Sequence, residues 1–380
     1  MTWNLRRSRL LGAPLREKRG TAQIAMLAIG LSLSACGGGG GGSGGNDDDG
    51  EDPAPDYDWS ALRSTLDSYV PDTVSGYAFN LNVDDVSQFT QAGGDISVDS
   101  SVLTASATKA PSAAAILTLV DLDLLDLDEP VETYLQDSID WPFAKRSITM
   151  RMLLNHTSGL QTDPDCLSEA VTVTMQECVQ EIADAALGFL PGAAFSYGGG
   201  SYQVAGYIAT VLSGQTWNDF FDMALAEPLD MPSYQFFGDE NPRVAGGGTT
   251  TADDYRHFQQ MFLNGGVYEG RQVLSADIIA EMSTDQIAGR LKVGTPLDRN
   301  DFPGYAFGWW ISSPELHPGS TGPELSDPGL FGAVPWLDLD LNYSAVSLIL
   351  SDTDTGLDIF STARGLILDE LLGTEESAQP

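Results

Sequence analysis

The sequence predicts an α+β protein in which a sheet is interrupted by a helical lobe. Two stretches that alternate apolar and polar residues lie early, at residues 75–83 and 87–91, and strand-like segments return between residues 305 and 351. Helical patterns lie between them, with the lobe roughly at residues 125–245. Strands, then helices, then strands again are typical of the α+β class. With 380 residues and 42% hydrophobic content, the chain can bury a sizeable core.

The first 35 residues are typical of a secretory signal peptide. A basic segment is followed by an apolar core at residues 24–33, which is too short to span a membrane. The ending Leu-Ser-Ala-Cys resembles the bacterial lipobox, in which the cysteine, here Cys36, is lipidated. We therefore expect an exported lipoprotein anchored to a bacterial membrane, with the outer membrane as its expected location. An ordinary cleaved signal with an idle cysteine is the alternative.

Residues 36–56 form a predicted Gly/Asp-rich tether. The segment GGSGG at residues 41–45 matches the G-x-S-x-G nucleophile motif in letters alone. That motif requires a preceding strand and a following helix, and a glycine tether provides neither, so we reject the match. The folded domain is predicted to span residues 57–375, beginning with a helix at 61–69 and then the hairpin across Asp84 and Asp85.

Composition restricts the partners. The formal net charge is −36, which repels nucleic acid and anionic membrane surfaces, so we expect no nucleic-acid partner. The cysteines and the three histidines lack the spacing of a metal site, and we expect neither a metal nor another cofactor. In an exported chain, Cys166 and Cys178 are expected to form a disulfide that stabilises the fold by roughly 3 kcal/mol.

Ser106 and Lys109 are the first candidate catalytic pair. They are three residues apart at the start of an Ala-rich helical run, which places both side chains on one face. A buried lysine loses its proton more readily, and the neutral amine can activate a serine hydroxyl. The alternative is a serine cap followed by a surface lysine.

Tyr197 is the third candidate. It precedes the three glycines of residues 198–200, and its hydroxyl could relay a proton between Ser106 and a leaving group. A loop aromatic that packs on the core is the alternative. The remaining chain predicts helices at 148–154, 167–187, 203–213, 252–263 and 356–372, and strands at 305–312, 329–337 and 343–351.

Together these segments resemble one family. The motifs that carry the resemblance, in chain order, are Ser106-x-x-Lys109, LDEPV at 127–131, LLNHTSGL at 153–160, the segment 191–197, GGT at 247–249 with Asp254-Tyr255, and NGG at 264–266. This pattern is similar to the serine β-lactamase and penicillin-binding-protein-like hydrolases. Within that family, the pattern most resembles the class C-type group of D-alanyl-D-alanine carboxypeptidases and family VIII carboxylesterases. The resemblance covers about residues 60–372.

The resemblance implies a β-lactamase/transpeptidase-like fold, with an antiparallel sheet flanked by helices and an inserted all-helical lobe. It further implies that Ser106 is the acylated nucleophile, Lys109 its base partner and Tyr197 the tyrosine of a Tyr-x-Asn element. The backbone N–H groups of Ser106 and Leu330 would form the oxyanion hole.

Two positions depart from the family pattern. Gly199 stands where the family has asparagine, and Asp327 stands where a lysine or histidine begins the third motif, Asp327-Pro328-Gly329. His317 is a rival start for that motif. An aspartate there would repel a substrate carboxylate by about 1 to 4 kcal/mol at 4 Å, which favours neutral substrates. A solvated turn is the alternative role for Asp327.

The substrate-binding candidates are therefore Asp327, Gly329 and Gly199, together with two aromatic residues, Trp309 and Phe331, as walls of an apolar acyl pocket. The aromatic residues from which these walls were chosen also include Tyr202, Tyr305, Trp310 and Trp336. Most such aromatics lie in a core. His156, within the HTSG turn, is predicted to be structural.

The sequence thus predicts an exported serine hydrolase that cleaves esters, and possibly amides, of small-molecule substrates. The alternatives are a D-amino-acid peptidase or amidase, a β-lactamase, and a non-catalytic binding protein on the same scaffold. The sequence does not fix the oligomeric state.

Overall fold

The computed structural model describes residues 57–168, 172–297, 300–313 and 324–373. The predicted leader, Cys36, the tether and His317 lie outside the described residues. Within the described ranges, none of the helices combines the length and the apolar character needed to cross a membrane.

The regular elements follow the predicted order. The helices are α1 (Ser60–Ser68), α2 (Lys109–Asp121), α3 (Glu132–Leu135), α4 (Met150–Leu154), α5 (Met175–Asp184), α6 (Gly200–Ser213), α7 (Trp217–Phe221), α8 (Ala252–Leu263), α9 (Ala276–Ser283) and α10 (Thr353–Leu372). The strands are β1 (Gly76–Val83), β2 (Val86–Gly94), β3 (Val102–Leu103), β4 (Ala194–Ser196), β5 (Gln235–Phe236), β6 (Gly248–Thr250), β7 (Val267–Tyr268), β8 (Arg271–Gln272), β9 (Leu291–Gly294), β10 (Gly304–Tyr305), β11 (Trp310–Ile311), β12 (Glu324–Ser326), β13 (Val334–Asp338) and β14 (Tyr343–Ile349).

A seven-stranded antiparallel sheet joins the two ends of the domain. Its strand order is β10-β11-β12-β13-β14-β1-β2, so the early hairpin pairs with the last strand, with Tyr77 opposite Ile349. The predicted hairpin is confirmed, and Asp84 and Asp85 adopt the positive φ angles, 49° and 65°, that a tight hairpin turn requires. The α+β class is likewise confirmed.

Both faces of this sheet are covered. Along β1, Tyr77 and Phe79 belong to the apolar cluster that also contains residues of α1 and α10. Ala78, between them, belongs to the cluster formed with α2 and α8. Successive strand side chains point to opposite faces, which explains why every residue of β1 is buried. A buried ion pair between Arg364 of α10 and Glu324 of β12 further attaches the last helix to the sheet.

Four element predictions need correction. The helix expected at 167–187 is α5, Met175–Asp184, and Asp165–Leu167 form a separate 3₁₀ turn. Residues 305–312 form two short strands, β10 and β11, because the chain reverses at Gly308, whose φ is +90°. The strand expected at 329–337 begins at Val334, because residues 329–332 make a tight turn. The helix expected to open at Ser106 begins at Lys109, after a 3₁₀ turn.

The helices between residues 125 and 245 form the part of the molecule that faces Ser106. Side chains cap three of the described helix starts in this region: Thr149 on α4, Thr216 on α7, and Thr174, which forms a capping box with Glu177 on α5. The predicted disulfide Cys166–Cys178 is present and ties α5 to the segment before it. This bond fixes the loop that forms one wall of the cleft described next.

Candidate active site

Ser106 and Lys109 lie side by side at the start of α2. Ser106 sits on the 3₁₀ turn Ala105–Thr108, where residues three apart are eclipsed, so Lys109 Nζ donates a hydrogen bond to Ser106 Oγ at 3.1 Å. Ala105 has a φ of +46°, a left-handed conformation that costs a non-glycine residue roughly 1–2 kcal/mol. This turn presents the half-buried Ser106 hydroxyl at the floor of an open cleft.

The Lys109 amine is enclosed by protein. Its side chain is 3% exposed, and Nζ also donates a hydrogen bond to the carbonyl oxygen of Ala245 at 2.9 Å. Burial lowers the pKa of Lys109 to about 8, although the negative charges of Asp327 and Asp163 partly oppose this shift. A substantial fraction of the amine is therefore neutral at slightly alkaline pH and able to accept a proton.

Tyr197 covers the amine from the opposite side. Lys109 Nζ lies 4.4 Å from the centroid of the Tyr197 ring. The Tyr197 backbone is held by a hydrogen bond from its N–H to the Gly294 carbonyl, next to the pairing of β4 with β9. Its buried hydroxyl has no hydrogen-bond partner of normal geometry among the described residues.

Burial, and then the negative charge of Asp327, raise the pKa of Tyr197 well above its usual value. The phenol is therefore protonated at neutral pH. The three predicted catalytic side chains are brought together in one place, and Tyr197 is suited to donate a proton rather than to act as a tyrosinate base.

His156 supports the Tyr197 ring from behind. Its imidazole lies 4.7 Å from the Tyr197 ring and stacks on Tyr202, and Nε2 is within 3.1 Å of the Tyr305 hydroxyl oxygen. Burial, and then the charge of Lys109, lower the pKa of His156 well below its usual range, so the ring is neutral. These contacts agree with the structural role predicted for His156, and they place Tyr202 and Tyr305 beneath the cleft rather than along it.

The turn at residues 329–332 places Leu330 at the cleft beside Ser106. Gly329 N–H donates to the Ala333 carbonyl and Gly332 N–H to the Gly329 carbonyl, whereas the Leu330 N–H has no acceptor in the described part of the chain. Leu330 is 64% exposed and lines the same cleft as Ser106. The predicted oxyanion pair therefore shares one cavity with the nucleophile.

Asp327 does not occupy the substrate side of this site. It is fully buried and absent from the cleft lining, and its Oδ2 accepts a hydrogen bond from the Ala110 N–H at 3.1 Å. The carboxyl group thus caps the start of α2 from a neighbouring strand, because Thr108 provides no side-chain cap there. Burial raises the pKa of Asp327 well above its usual value, against the attraction of Lys109. Direct repulsion of a bound substrate by Asp327, and its alternative as a solvated turn, are both wrong.

The other predicted binding residues divide between cleft and core. Gly199 and Phe331 line the cleft. Gly329 is buried beneath it, where an added Cβ would lie 2.2 Å from the Thr104 carbonyl oxygen. Trp309 is also wrong as a cleft wall, because it is fully buried and stacks on Phe258 of α8.

Trp310, next to Trp309 in the chain, points to the opposite side and contributes to the cleft lining, although it is buried and belongs to the cluster on the α10 side of the sheet. Trp336 of β13 belongs to the cluster on the α10 side of the sheet. Of the six aromatic residues considered from the sequence, Trp310 and Phe331 therefore line the cleft.

The cleft has a volume of about 1300 Å³ and an acidic lining. Among the described residues, its basic members are Lys109 and Arg243, and its acidic members are Asp163, Asp239 and Glu240. A cavity of this size can hold a small-molecule substrate. Within the described ranges, no group of three His, Cys, Asp or Glu side chains could hold a metal ion.

Sequence reasoning missed the Ala245 carbonyl, which accepts from Lys109, and Asp163, which influences the Lys109 pKa. Ala245 opens the glycine-rich segment at 245–248, which was the signal in the sequence for a close approach of this backbone. Nothing in the local pattern around Asp163 distinguishes it from the many other acidic residues.

Comparisons with known proteins bear on the family and the fold. The family model described as Beta-lactamase matches residues 66–364. Penicillin-binding protein 4 of Amycolatopsis lactamdurans is 26% identical over 321 residues, covering 74% of this chain and 80% of that protein. A Bacteroides dorei protein provisionally described as a beta-lactamase has a TM-score of 0.72 at 27% identity, covering 83% of this chain and 100% of that one. A penicillin-binding-protein homologue from Caulobacter crescentus shares the fold, with a TM-score of 0.68 at 18% identity over 83% of this chain and 97% of that one.

Proposed function

We propose that this chain, which belongs to the beta-lactamase family, hydrolyses uncharged esters through an acyl-enzyme on Ser106. The family consists of serine β-lactamases and penicillin-binding-protein-like hydrolases. The observation that carries the proposal is the hydrogen bond of 3.1 Å between Lys109 Nζ and Ser106 Oγ, beneath the Tyr197 ring and inside an open cleft.

In acylation, the neutral Lys109 amine takes the proton of Ser106 while Oγ forms a bond to the ester carbonyl carbon. The carbonyl oxygen becomes an oxyanion that accepts hydrogen bonds from the N–H groups of Ser106 and Leu330. When the C–O bond to the alcohol breaks, the Tyr197 hydroxyl donates its proton to the departing alkoxide. The Lys109 ammonium then returns a proton to Tyr197, and the two groups regain their starting states.

In deacylation, a water molecule takes the place of the alcohol. The neutral Lys109 amine accepts one proton of this water as its oxygen adds to the acyl carbon, and the same N–H groups hold the second oxyanion. Breakage of the bond to Oγ, with return of the proton to Ser106, releases the carboxylic acid. Because the amine must be neutral at the start, kcat/KM is expected to rise with pH through about 8.

The charge of the cleft supports neutral esters over anionic substrates. Three acidic side chains, Asp163, Asp239 and Glu240, line it beside two basic ones. The buried Asp327 provides no cation at the position where the family pattern has one. A β-lactam or a peptide C-terminus carries a carboxylate and would lack this partner.

A second candidate is acylation by β-lactams or D-alanyl peptides, which the 26% identity to a penicillin-binding protein favours. Purified chain is tested on p-nitrophenyl butyrate, nitrocefin and a D-Ala-D-Ala peptide, with Ser106→Ala as the control. We expect ester turnover that falls by on the order of 10⁴-fold or more in the variant. Turnover of nitrocefin or peptide above that of the ester supports the second candidate, and inactivity on all three supports a binding protein.

Export and lipid anchoring are part of the same proposal. The lipobox-like ending at Cys36 and the disulfide Cys166–Cys178 support an oxidising, extracytoplasmic setting. Metabolic labelling with a radioactive fatty acid in a bacterial host tests this. We expect label in the membrane fraction for the full chain and none for Cys36→Ser, and an unlabelled full chain would contradict lipidation.

A further inference from the structure

One wall of the cleft is apolar and lies close to the reacting groups. Lys109 Nζ bonds to the Ala245 carbonyl, and a Cβ built on Gly199 would be 3.8 Å from Ala245 Cβ. That same Cβ would be 3.0 Å from Leu167 Cδ1. Leu167 therefore lies beside Gly199, which in turn lies beside Ala245, the residue whose carbonyl binds the catalytic amine.

The polar groups on this wall are already engaged with each other. Gln203 Nε2 donates to Asn241 Oδ1 at 2.8 Å and to the Pro242 carbonyl, and Gln203 Oε1 accepts from the Val244 N–H. Asn241 Nδ2 donates to the Cys166 carbonyl at 2.9 Å. Both amide side chains line the cleft, yet their hydrogen-bonding groups are directed into the protein. A substrate group beside Leu167 consequently meets the Leu167 side chain rather than either amide.

The segment that carries Leu167 is attached through Cys166 to α5 and to Asn241. The adjacent Cys166 is bonded to Cys178 of α5, its N–H donates to Glu181 Oε1 at 3.2 Å, and its carbonyl accepts from Asn241. The other apolar patch of the cleft differs, because Leu330 and Phe331 are 64% and 39% exposed. The alcohol must leave to solvent after acylation, whereas the acyl group stays bound until water attacks. The more exposed surface at Leu330 and Phe331 therefore suits the alcohol, and the half-buried surface at Leu167 suits the acyl chain.

We propose that Leu167 bounds an apolar acyl-binding subsite that accepts the unsubstituted alkyl chain of a short aliphatic acid. Val173 is another half-buried apolar residue that lines the cleft. This inference rests on the proposed ester hydrolysis and names its substrate class. An acyl group with an amide or a charge would place a polar atom against Leu167 without a partner, which disfavours its binding.

The test is a chain-length profile of kcat/KM on p-nitrophenyl acetate, butyrate, hexanoate and octanoate. The unchanged chain is expected to prefer acetate or butyrate. Leu167→Ala is expected to raise the hexanoate-to-acetate ratio by about tenfold or more, because it opens space for additional methylene groups. Leu167→Phe is expected to shift the profile toward acetate.

Two further variants keep the result interpretable. Leu122→Ala, an exposed leucine at the end of α2, is the matched control and is expected to retain the original profile. Leu167→Asn preserves the approximate size, and we expect it to favour the p-nitrophenyl ester of N-acetylglycine relative to butyrate. An unchanged profile in active, folded Leu167 variants would overturn the subsite while leaving ester hydrolysis intact. If no form of the chain hydrolyses any ester, the proposed function itself fails.

Discussion

Burial of the charged Lys109 ammonium is expected to reduce the stability of the folded protein. Burial lowers the pKa of Lys109 to about 8 from 10.5, so below pH 8 the folded state is penalised by up to roughly 3 kcal/mol relative to the unfolded chain, and the penalty shrinks between pH 8 and 10.5. Lys109→Met should abolish hydrolysis yet raise the free energy of unfolding by about 1–2 kcal/mol at pH 7, and by less at pH 10. Urea unfolding at both pH values measures this.

Arg271→Met, at an exposed position, is the control and should change stability little at either pH. A Lys109→Met protein that is less stable at both pH values would contradict the argument. It would mean that the hydrogen bonds of Lys109 to Ser106 and Ala245 outweigh the cost of burying its charge.

The buried carboxyl of Asp327 should tune the same amine. Its negative charge favours the ammonium form of Lys109, so Asp327→Asn should move the rising limb of the kcat/KM profile below pH 8, while its amide oxygen still accepts from the Ala110 N–H. Asp327→Ala removes that acceptor as well and should lower the free energy of unfolding by about 1–3 kcal/mol.

A pH-rate profile, with the exposed Asp277→Asn as the control, distinguishes these effects. If kcat/KM of Asp327→Asn rises over the same pH range as that of the unchanged protein, the Asp327 carboxyl is neutral in that range. It then acts through hydrogen bonding alone.

Residue patterns predicted which side chains lie together in the active site. They did not predict the direction in which each side chain points. Ser106, Lys109 and Tyr197 could be named because their chemistry and order match a family, and the structure places them together. The position of Asp327 was predictable, whereas its direction was not. Its buried carboxyl accepts a hydrogen bond from the Ala110 N–H at the start of α2. Local sequence patterns do not show this contact, because the two residues lie far apart in the chain.

The turn that follows Asp327 has little room for side-chain atoms. A Cβ at Gly329 would lie 2.2 Å from the Thr104 carbonyl oxygen, at the start of the turn that carries Ser106. Gly329→Ala must therefore displace either Ser106 or the Leu330 N–H, and we expect a fall in kcat of about 10²-fold or more together with a lower Tm.

Gly365→Ala, within helix α10, is the matched control for Gly329→Ala. No atom lies within 4 Å of the added Cβ on α10, and alanine favours a helix interior over glycine by roughly 0.5–1 kcal/mol. This variant should keep full activity and unfold at a slightly higher temperature. Wild-type activity in Gly329→Ala would show that the turn can move without disturbing the oxyanion donors.

Elements with a clear period were predictable, and short irregular ones were not. Helix α8 (Ala252–Leu263) and the hairpin of β1 and β2 have strong patterns and the expected turn residues. By contrast, β10 and β11 have two residues each, and the reversal at Gly308 between them leaves a pattern that resembles a single strand.

At the scale of the whole molecule, the pairing of β1 with β14 brings the two ends of the domain together and allows the helical segments between them to face Ser106. Local patterns could not determine this arrangement, because the register joins residues far apart in sequence. This arrangement was predicted from the family resemblance instead. The fold was therefore predictable although the bounds of several strands were not.

The net charge of −36 gives the final prediction. An acidic surface repels anionic substrates over distances set by the Debye length, about 30 Å at 0.01 M salt and about 3 Å at 1 M. For two esters of equal chain length, p-nitrophenyl pentanoate and the mono-p-nitrophenyl ester of glutaric acid, kcat/KM for the anionic ester should be several-fold lower at 0.01 M NaCl. That difference should narrow at 1 M, with the neutral ester as the internal control. An unchanged ratio would locate any discrimination against anions in the cleft itself, where Asp163, Asp239 and Glu240 act at short range and salt screens them less.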